Sequence, residues 1–162
     1  MQSILFVCLG NICRSPLAEA LFLQHVIEQN LSEKFSADSA GTAAYHLGEL
    51  ADTRTRSTAL KLSNLNLTHK ARQFESNDFL AFDFIVAMDK INYQNIMKLR
   101  PENARAKVLL MRHYDSTIKN EDAIPDPYYG NENDFEKVHH MLNDCTKNFL
   151  KELMRNNIRI IS

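Results

Sequence analysis

Cys8 and Arg14 stand with five residues between them in the run Val7-Cys8-Leu9-Gly10-Asn11-Ile12-Cys13-Arg14-Ser15-Pro16. An apolar segment, Ile4-Leu5-Phe6-Val7, precedes them, and a helical pattern opening with Ser15-Pro16 follows. That order predicts a thiol at the end of a strand, then a tight loop, then a guanidinium at the start of a helix. The N–H groups of such a loop and the positive end of the helix dipole converge on one point, which suits an oxyanion. Positive potential there favours the thiolate form of Cys8. The ligand that fits is a phosphoryl group, cradled by the backbone of Leu9, Gly10, Asn11, Ile12, Cys13 and Ser15 while Cys8 attacks it. Arg14 can hold two equatorial oxygens with its planar fork, which a lysine cannot do. Asn11 is expected to shape the loop, because asparagine tolerates a left-handed backbone and bonds its neighbours through its amide.

The run from Cys8 to Pro16 resembles the signature loop of the low-molecular-weight protein tyrosine phosphatases. Four more segments resemble the same family in the same order: Asp38-Ser39-Ala40-Gly41-Thr42, His69 with Ala71-Arg72-Gln73, Ala87-Met88-Asp89, and Asp126-Pro127-Tyr128-Tyr129-Gly130. A bare Cys-x5-Arg arises by chance in many proteins, whereas that loop followed by Asp-Pro-Tyr-Tyr over a hundred residues later is specific. The resemblance implies a metal-independent hydrolase of phosphotyrosine and aryl phosphate monoesters that passes through a cysteinyl-phosphate, with no cofactor. It makes Cys8 the nucleophile, Arg14 the transition-state stabiliser and Asp126 the general acid, then base. It also implies that Asn11, Ser39 and His69 brace the loop, that Ser15 hydrogen-bonds the thiolate, and that Asp89 supports the site.

Each of these residues also has a plainer reading. Asp-Pro-Tyr alone is a turn, His69 alone is a satisfied structural histidine, and Ser15 and Asp89 are helix N-caps by pattern. Cys13 is either a small core residue or, as the resemblance implies, a thiol that pairs with Cys8 on oxidation. Leu9, Ile12, Tyr45, Tyr128 and Tyr129 are the candidate walls of a pocket deep enough for phosphotyrosine, with Tyr45 standing where many relatives carry tryptophan. Two sister activities share the loop. Arsenate reductases need relay cysteines downstream, and residues 74–90 hold none; arginine phosphatases typically carry threonine where Ile12 stands. A phosphate-binding module or a thiol sensor would not account for Cys8, Arg14 and Asp126 together. Phosphotyrosine proteins are the expected partners, with an opposing tyrosine kinase, and a monomer is expected.

With 162 residues the chain reads as one domain, 1–162, long enough to bury about 70% of its unfolded surface. Nineteen basic and twenty acidic residues give a net charge of -1, so no global field favours nucleic acid or an anionic membrane. No apolar stretch reaches ~18 residues, and the N-terminal run lacks the basic start of a secretory signal. Three cysteines are too few and too unevenly placed for a disulfide framework, and no zinc-ligand spacing surrounds them, which points to the cytoplasm.

Apolar runs alternating with helical patterns predict α/β architecture with a mostly parallel sheet. The family resemblance makes this a three-layer αβα fold, four parallel strands with helices on both faces (phosphotyrosine protein phosphatase I-like). Strands are expected at about 2–7, 35–40, 82–87 and 107–111. Helices are expected at 16–30 behind Ser15, from Asp52 to 63, from Asp89 to Pro101, and from Asn133 with Glu136 in a capping box. Phe135, Val138, Leu142, Cys145, Phe149 and Leu153 form the core stripe of the last helix, residues 115–133 a long functional loop, and 156–162 a loose tail.

Overall fold

Ile4, Leu5, Phe6 and Val7 are all wholly buried, without the alternation of a half-exposed strand, as a strand covered on both faces requires. They lie on β1 (Gln2–Cys8) in a computed structural model that describes residues 1–117 and 121–158. β1 pairs in parallel with β2 (Phe35–Gly41) on one side and β3 (Phe84–Ala87) on the other, and β4 (Lys107–Leu110) pairs with β3. The sheet order is β2-β1-β3-β4, with Cys8 opposite Gly41 and Val7 opposite Ala87.

Alternate residues of these strands feed two cores. Ile4, Phe6 and Val86 pack with Leu17, Leu21 and Phe22 of α1 (Arg14–Glu28) and with Leu142 and Phe149 of α5 (Glu132–Ile158). α2 (Thr53–Ser63) adds Ala59 to the same core. Leu5, Val7, Ile85 and Ala87 face the other way, onto Phe79 of α3 (Asp78–Ala81) and Ile96 of α4 (Lys90–Met97). The result is the expected three-layer arrangement of four parallel strands between helices.

Several element ends differ from expectation for local reasons. Helix α1 starts at Arg14 with Cys13 at the cap position, so Ser15 lies inside the first turn and caps nothing. The box at the start of α5 is made by Asn131 and Asp134, whose side chains accept from each other's backbone N–H at 3.3 and 2.9 Å. Glu136 instead meets Lys61 of α2 at 2.6 Å. α4 stops at Met97, four residues before Pro101, and α3 and a 3₁₀ turn at Met111–Tyr114 are too short to leave a periodic signal. α5 runs through Ile158 where a loose tail was expected, and the rest of that tail, 159–162, lies outside the described residues. The Asp52 and Asp89 caps and the α5 stripe are as read: Asp52 accepts from Arg54 N at 2.8 Å and Asp89 from Asn92 N at 2.7 Å.

Phe22 of α1 packs against three other elements, its ring centre 5.6 Å from Phe6 of β1, 6.3 Å from Phe35 of β2 and 5.9 Å from Phe149 of α5. Phe22→Ala is expected to lower the unfolding free energy by about 3–5 kcal/mol, read as a lower urea midpoint at unchanged slope.

Candidate active site

β1 delivers Cys8 to the carboxyl edge of the sheet at the point where the strand order reverses, β2 to one side and β3 to the other. The loop beyond it turns on Asn11, which adopts a left-handed backbone at φ 56. The buried Asn11 amide fills all four of its hydrogen-bonding positions. Its Nδ2 donates to Ser15 Oγ at 2.8 Å and to Ser39 Oγ at 3.0 Å. Its Oδ1 accepts from Arg72 N at 3.0 Å and from His69 Nε2 at 2.9 Å, which fixes the proton on that ring nitrogen. Backbone bonds complete the brace: Thr42 N to Cys8 O at 2.9 Å, Ala43 N to Leu9 O at 2.9 Å, and Asp52 N to Ile12 O at 2.8 Å. Gly41 is required by close approach, since a Cβ there would stand 2.7 Å from Leu9 O.

Behind Asn11 lies a charged layer. Ser39 donates its hydroxyl to Glu19 Oε2 at 2.6 Å, and His69 Nδ1 is 3.5 Å from the same oxygen and 3.6 Å from Asp38 Oδ1. Burial pushes the Glu19 carboxyl up to about 7, helped by Asp38 and opposed by the Ser39 hydrogen bond and Arg72. Burial pushes the His69 imidazole below its ordinary value, with Asp38 opposing and Arg72 helping. Glu19, Asp38 and His69 have the spacing of metal ligands, all within 4.8 Å, but their carboxylates are already occupied. Ser39 bonds both, and Arg72 Nη2 takes Asp38 Oδ2 at 2.9 Å.

Arg14 leaves the first turn of α1 almost fully buried and is gripped from behind. Its Nη1 donates to Asp89 Oδ2 at 2.7 Å and to Ile124 O at 3.0 Å, and its Nη2 to Asp126 Oδ2 at 3.3 Å. Burial alone would lower its pKa, but its neighbours Cys8, Asp126 and Asp89 prevail and hold the guanidinium above its ordinary value. Asp89 thus caps α4 with one oxygen and grips Arg14 with the other. Ser15 Oγ lies 3.1 Å from Cys8 Sγ and 3.3 Å from Ala40 O, so its single hydrogen can turn to the sulfur.

Cys8, Arg14 and Asp126 line one pocket of about 200 Å³ together with Leu9, Gly10, Ile12, Cys13, Tyr45, His46, Tyr128 and Tyr129. Every expected wall residue is there; Tyr45 and Tyr129 are exposed rim groups, Tyr129 at 97%. Asn11, Ser15, Ser39, His69 and Asp89 stand outside the cavity as supports. The three cysteines are free, and burial pushes the Cys13 thiol up to about 12 despite the Thr55 hydroxyl. Cys13 also packs in a small cluster with Ile12, Ala71 and Phe135.

The residue types around the loop concealed four contributors. His46 is an unremarked loop histidine until the fold sets it beside Gly10 on the pocket wall. Arg54 lies over the rings of Phe135 and Tyr128 at 4.5 and 5.6 Å while Asp52 holds it at 2.9 and 3.0 Å, so the cap of α2 also props the rim. Glu19 and Arg72 complete the layer behind Asn11; only Arg72 fell within a segment that could have flagged it.

The chain matches the family model described as low molecular weight phosphotyrosine protein phosphatase over residues 3–159. It is 43% identical over 151 residues to a protein of that name from Schizosaccharomyces pombe, covering 93% of this chain and 96% of the relative. Its structure is similar to that of a protein tyrosine phosphatase from Entamoeba histolytica, with TM-score 0.91 and 39% identity over 97% of this chain and 99% of the other. It is also similar to an arginine phosphatase from Drosophila, with TM-score 0.86 and 30% identity over 94% of this chain and 98% of the other.

Asn11→Ala removes four hydrogen bonds and leaves a left-handed alanine, so it should cost about 3 kcal/mol in thermal or urea unfolding and weaken inorganic phosphate binding. Thiol labelling provides a second check. Burial raises Cys13 and Cys145 alike to about 12, so at pH 8 each is thiolate in only about one molecule in 10⁴. Mass spectrometry after iodoacetamide treatment should find both unmodified in the folded protein up to that pH, and modified once denaturant exposes them.

Proposed function

Because the chain belongs to the low molecular weight phosphotyrosine protein phosphatases, we propose that it hydrolyses phosphotyrosine and aryl phosphate monoesters through a cysteinyl-phosphate. The observation that carries this reading is the convergence of Cys8, Arg14 and Asp126 on one small pocket under an aromatic rim. Cys8 Sγ attacks phosphorus as the bond to the tyrosine oxygen breaks. Arg14 neutralises the equatorial oxygens, which gain most from its fork as charge spreads in the transition state. Asp126, protonated, gives its proton to the departing phenolate oxygen.

In the second step water attacks the phosphocysteine, the Asp126 carboxylate takes its proton, and the S–P bond breaks to release orthophosphate. Ser15, 3.1 Å from the sulfur, donates its hydroxyl hydrogen to the departing thiolate. The chain's own side chains handle every charge in both steps, which supports metal-independent chemistry. Tyr45, Tyr128 and Tyr129 receive the substrate ring, and Ile12 gives the wall an apolar surface suited to an aryl group. Phosphotyrosine proteins are the proposed partners, set against a tyrosine kinase. Among the described residues no helix is long and apolar enough to cross a membrane, and the free thiols suit the cytoplasm.

Turnover of p-nitrophenyl phosphate in EDTA tests the reading. Cys8→Ser should abolish it, and Asp126→Asn should lower phosphotyrosine peptide hydrolysis by ~10²–10⁴. Wild-type preference for phosphoarginine over phosphotyrosine peptides would reassign the substrate, and full activity of Cys8→Ser would end the proposal.

A further inference from the structure

Three consecutive residues at the start of α4 hold both halves of the pocket. Asp89 grips Arg14 Nη1 at 2.7 Å, and Met88 O accepts Ile124 N at 2.8 Å. Lys90 Nζ stands 2.5 Å from Asp122 Oδ2. The other Asp122 oxygen lies 2.7 Å from His113 Nε2 on the 3₁₀ turn. Next to it, Glu121 reaches the buried Arg112 at 3.5 Å. Ile124 is wholly buried in the main core and lends its carbonyl to Arg14 at 3.0 Å. Residues 121–126 therefore form a strap fastened at Asp122, pinned at Ile124, and ending on Asp126.

Asp122 is absent from the pocket that holds Cys8; it shares with Asp126 and Arg14 a second groove on the far side, and the reaction itself has no use for it. We infer that Asp122 is a positioning residue that, held between Lys90 and His113, sets where Asp126 stands relative to Arg14. The inference rests on the phosphatase reading above. Each of these exposed ion pairs is individually weak, because water and salt screen them. Positioning asks for direction rather than strength. Two cations from different elements bracket one carboxylate, and the Lys90 side belongs to the same turn that holds Arg14. Lys90 first, then His113, keep the Asp122 carboxyl below its ordinary range, so it carries its charge at neutral pH. The groups facing it are Lys90 from α4 and His113 from the 3₁₀ turn. A misplacement of ~1 Å at a reacting group can cost about 10²-fold, so a slack strap would show in the chemistry before it showed in the fold.

The test is kcat/KM for aryl phosphates whose leaving groups run from p-nitrophenol to unsubstituted phenol. A poor leaving group depends on proton donation and a good one hardly does. Asp122→Asn should lower the phenyl ester about fivefold and the p-nitrophenyl ester by less than about twofold. Added to Asp126→Asn it should change nothing further, since the group it positions is gone. Asp122→Glu should recover most of the loss. Lys90→Met, on an exposed side chain, reads the same strap should Asp122→Asn fold poorly. An equal fall for every leaving group, a further fall in the Asp126→Asn background, or no change would each overturn the inference while the phosphatase reading stands. A wild-type protein that turns over neither ester would overturn both.

Discussion

A single buried carboxamide carries the geometry of this molecule. Asn11 accepts from Arg72 and His69 and donates to Ser15 and Ser39, joining the loop to α1, to β2 and to the segment before α3. A left-handed residue costs little when it is asparagine, and the turn it allows folds the loop back over the end of β1. Without those four bonds the backbone between Cys8 and Arg14 would be an ordinary strand-to-helix connection with several acceptable shapes. With them the loop is tied at its middle to three separate parts of the fold.

Burying Arg14 is the second constraint and it follows from the first. A guanidinium that is almost fully buried is tolerable only when anions surround it, and here the Asp89 and Asp126 carboxylates do so. The Ile124 carbonyl adds a neutral acceptor that locks the plane of the fork. The same buried charge that would be costly in isolation is held by these partners on the wall of the pocket. It also draws the distant segment 124–126 onto the loop, which is how residues more than a hundred positions apart come to share a cavity of about 200 Å³.

Local chemistry was readable where it depended on neighbours in the chain. Ile4 to Val7 announced a strand, Asp52 and Asp89 announced helix starts, and the stripe from Phe135 to Leu153 announced a buried helix face. Ser15 shows where such reading fails. It has the composition of an N-cap, yet the helix starts two residues earlier, and Ser15 Oγ meets Asn11 Nδ2 and Cys8 Sγ instead. Asn133 and Glu136 have capping-box spacing, but Asn131 and Asp134 make the box and Glu136 is drawn off by Lys61, a residue of another helix. In both cases other contacts outweighed a local preference worth about 1 kcal/mol: for Ser15 partners four and seven residues away in the loop, for Glu136 a lysine on another helix.

By itself, the order of residues determined a thiol at the end of the first strand, a guanidinium at the start of the first helix, and a parallel sheet to carry them. These follow from periodicity, turn chemistry and spacing, which act within a few residues. Only the folded chain decided that Asp126 stands beside Arg14, that Glu19 sits behind Ser39, and that His46 and Arg54 finish the wall and the rim. Those placements depend on how the helices pack on the two faces of the sheet. Packing is settled by shape and burial over the whole core, and no single stretch of sequence contains that information.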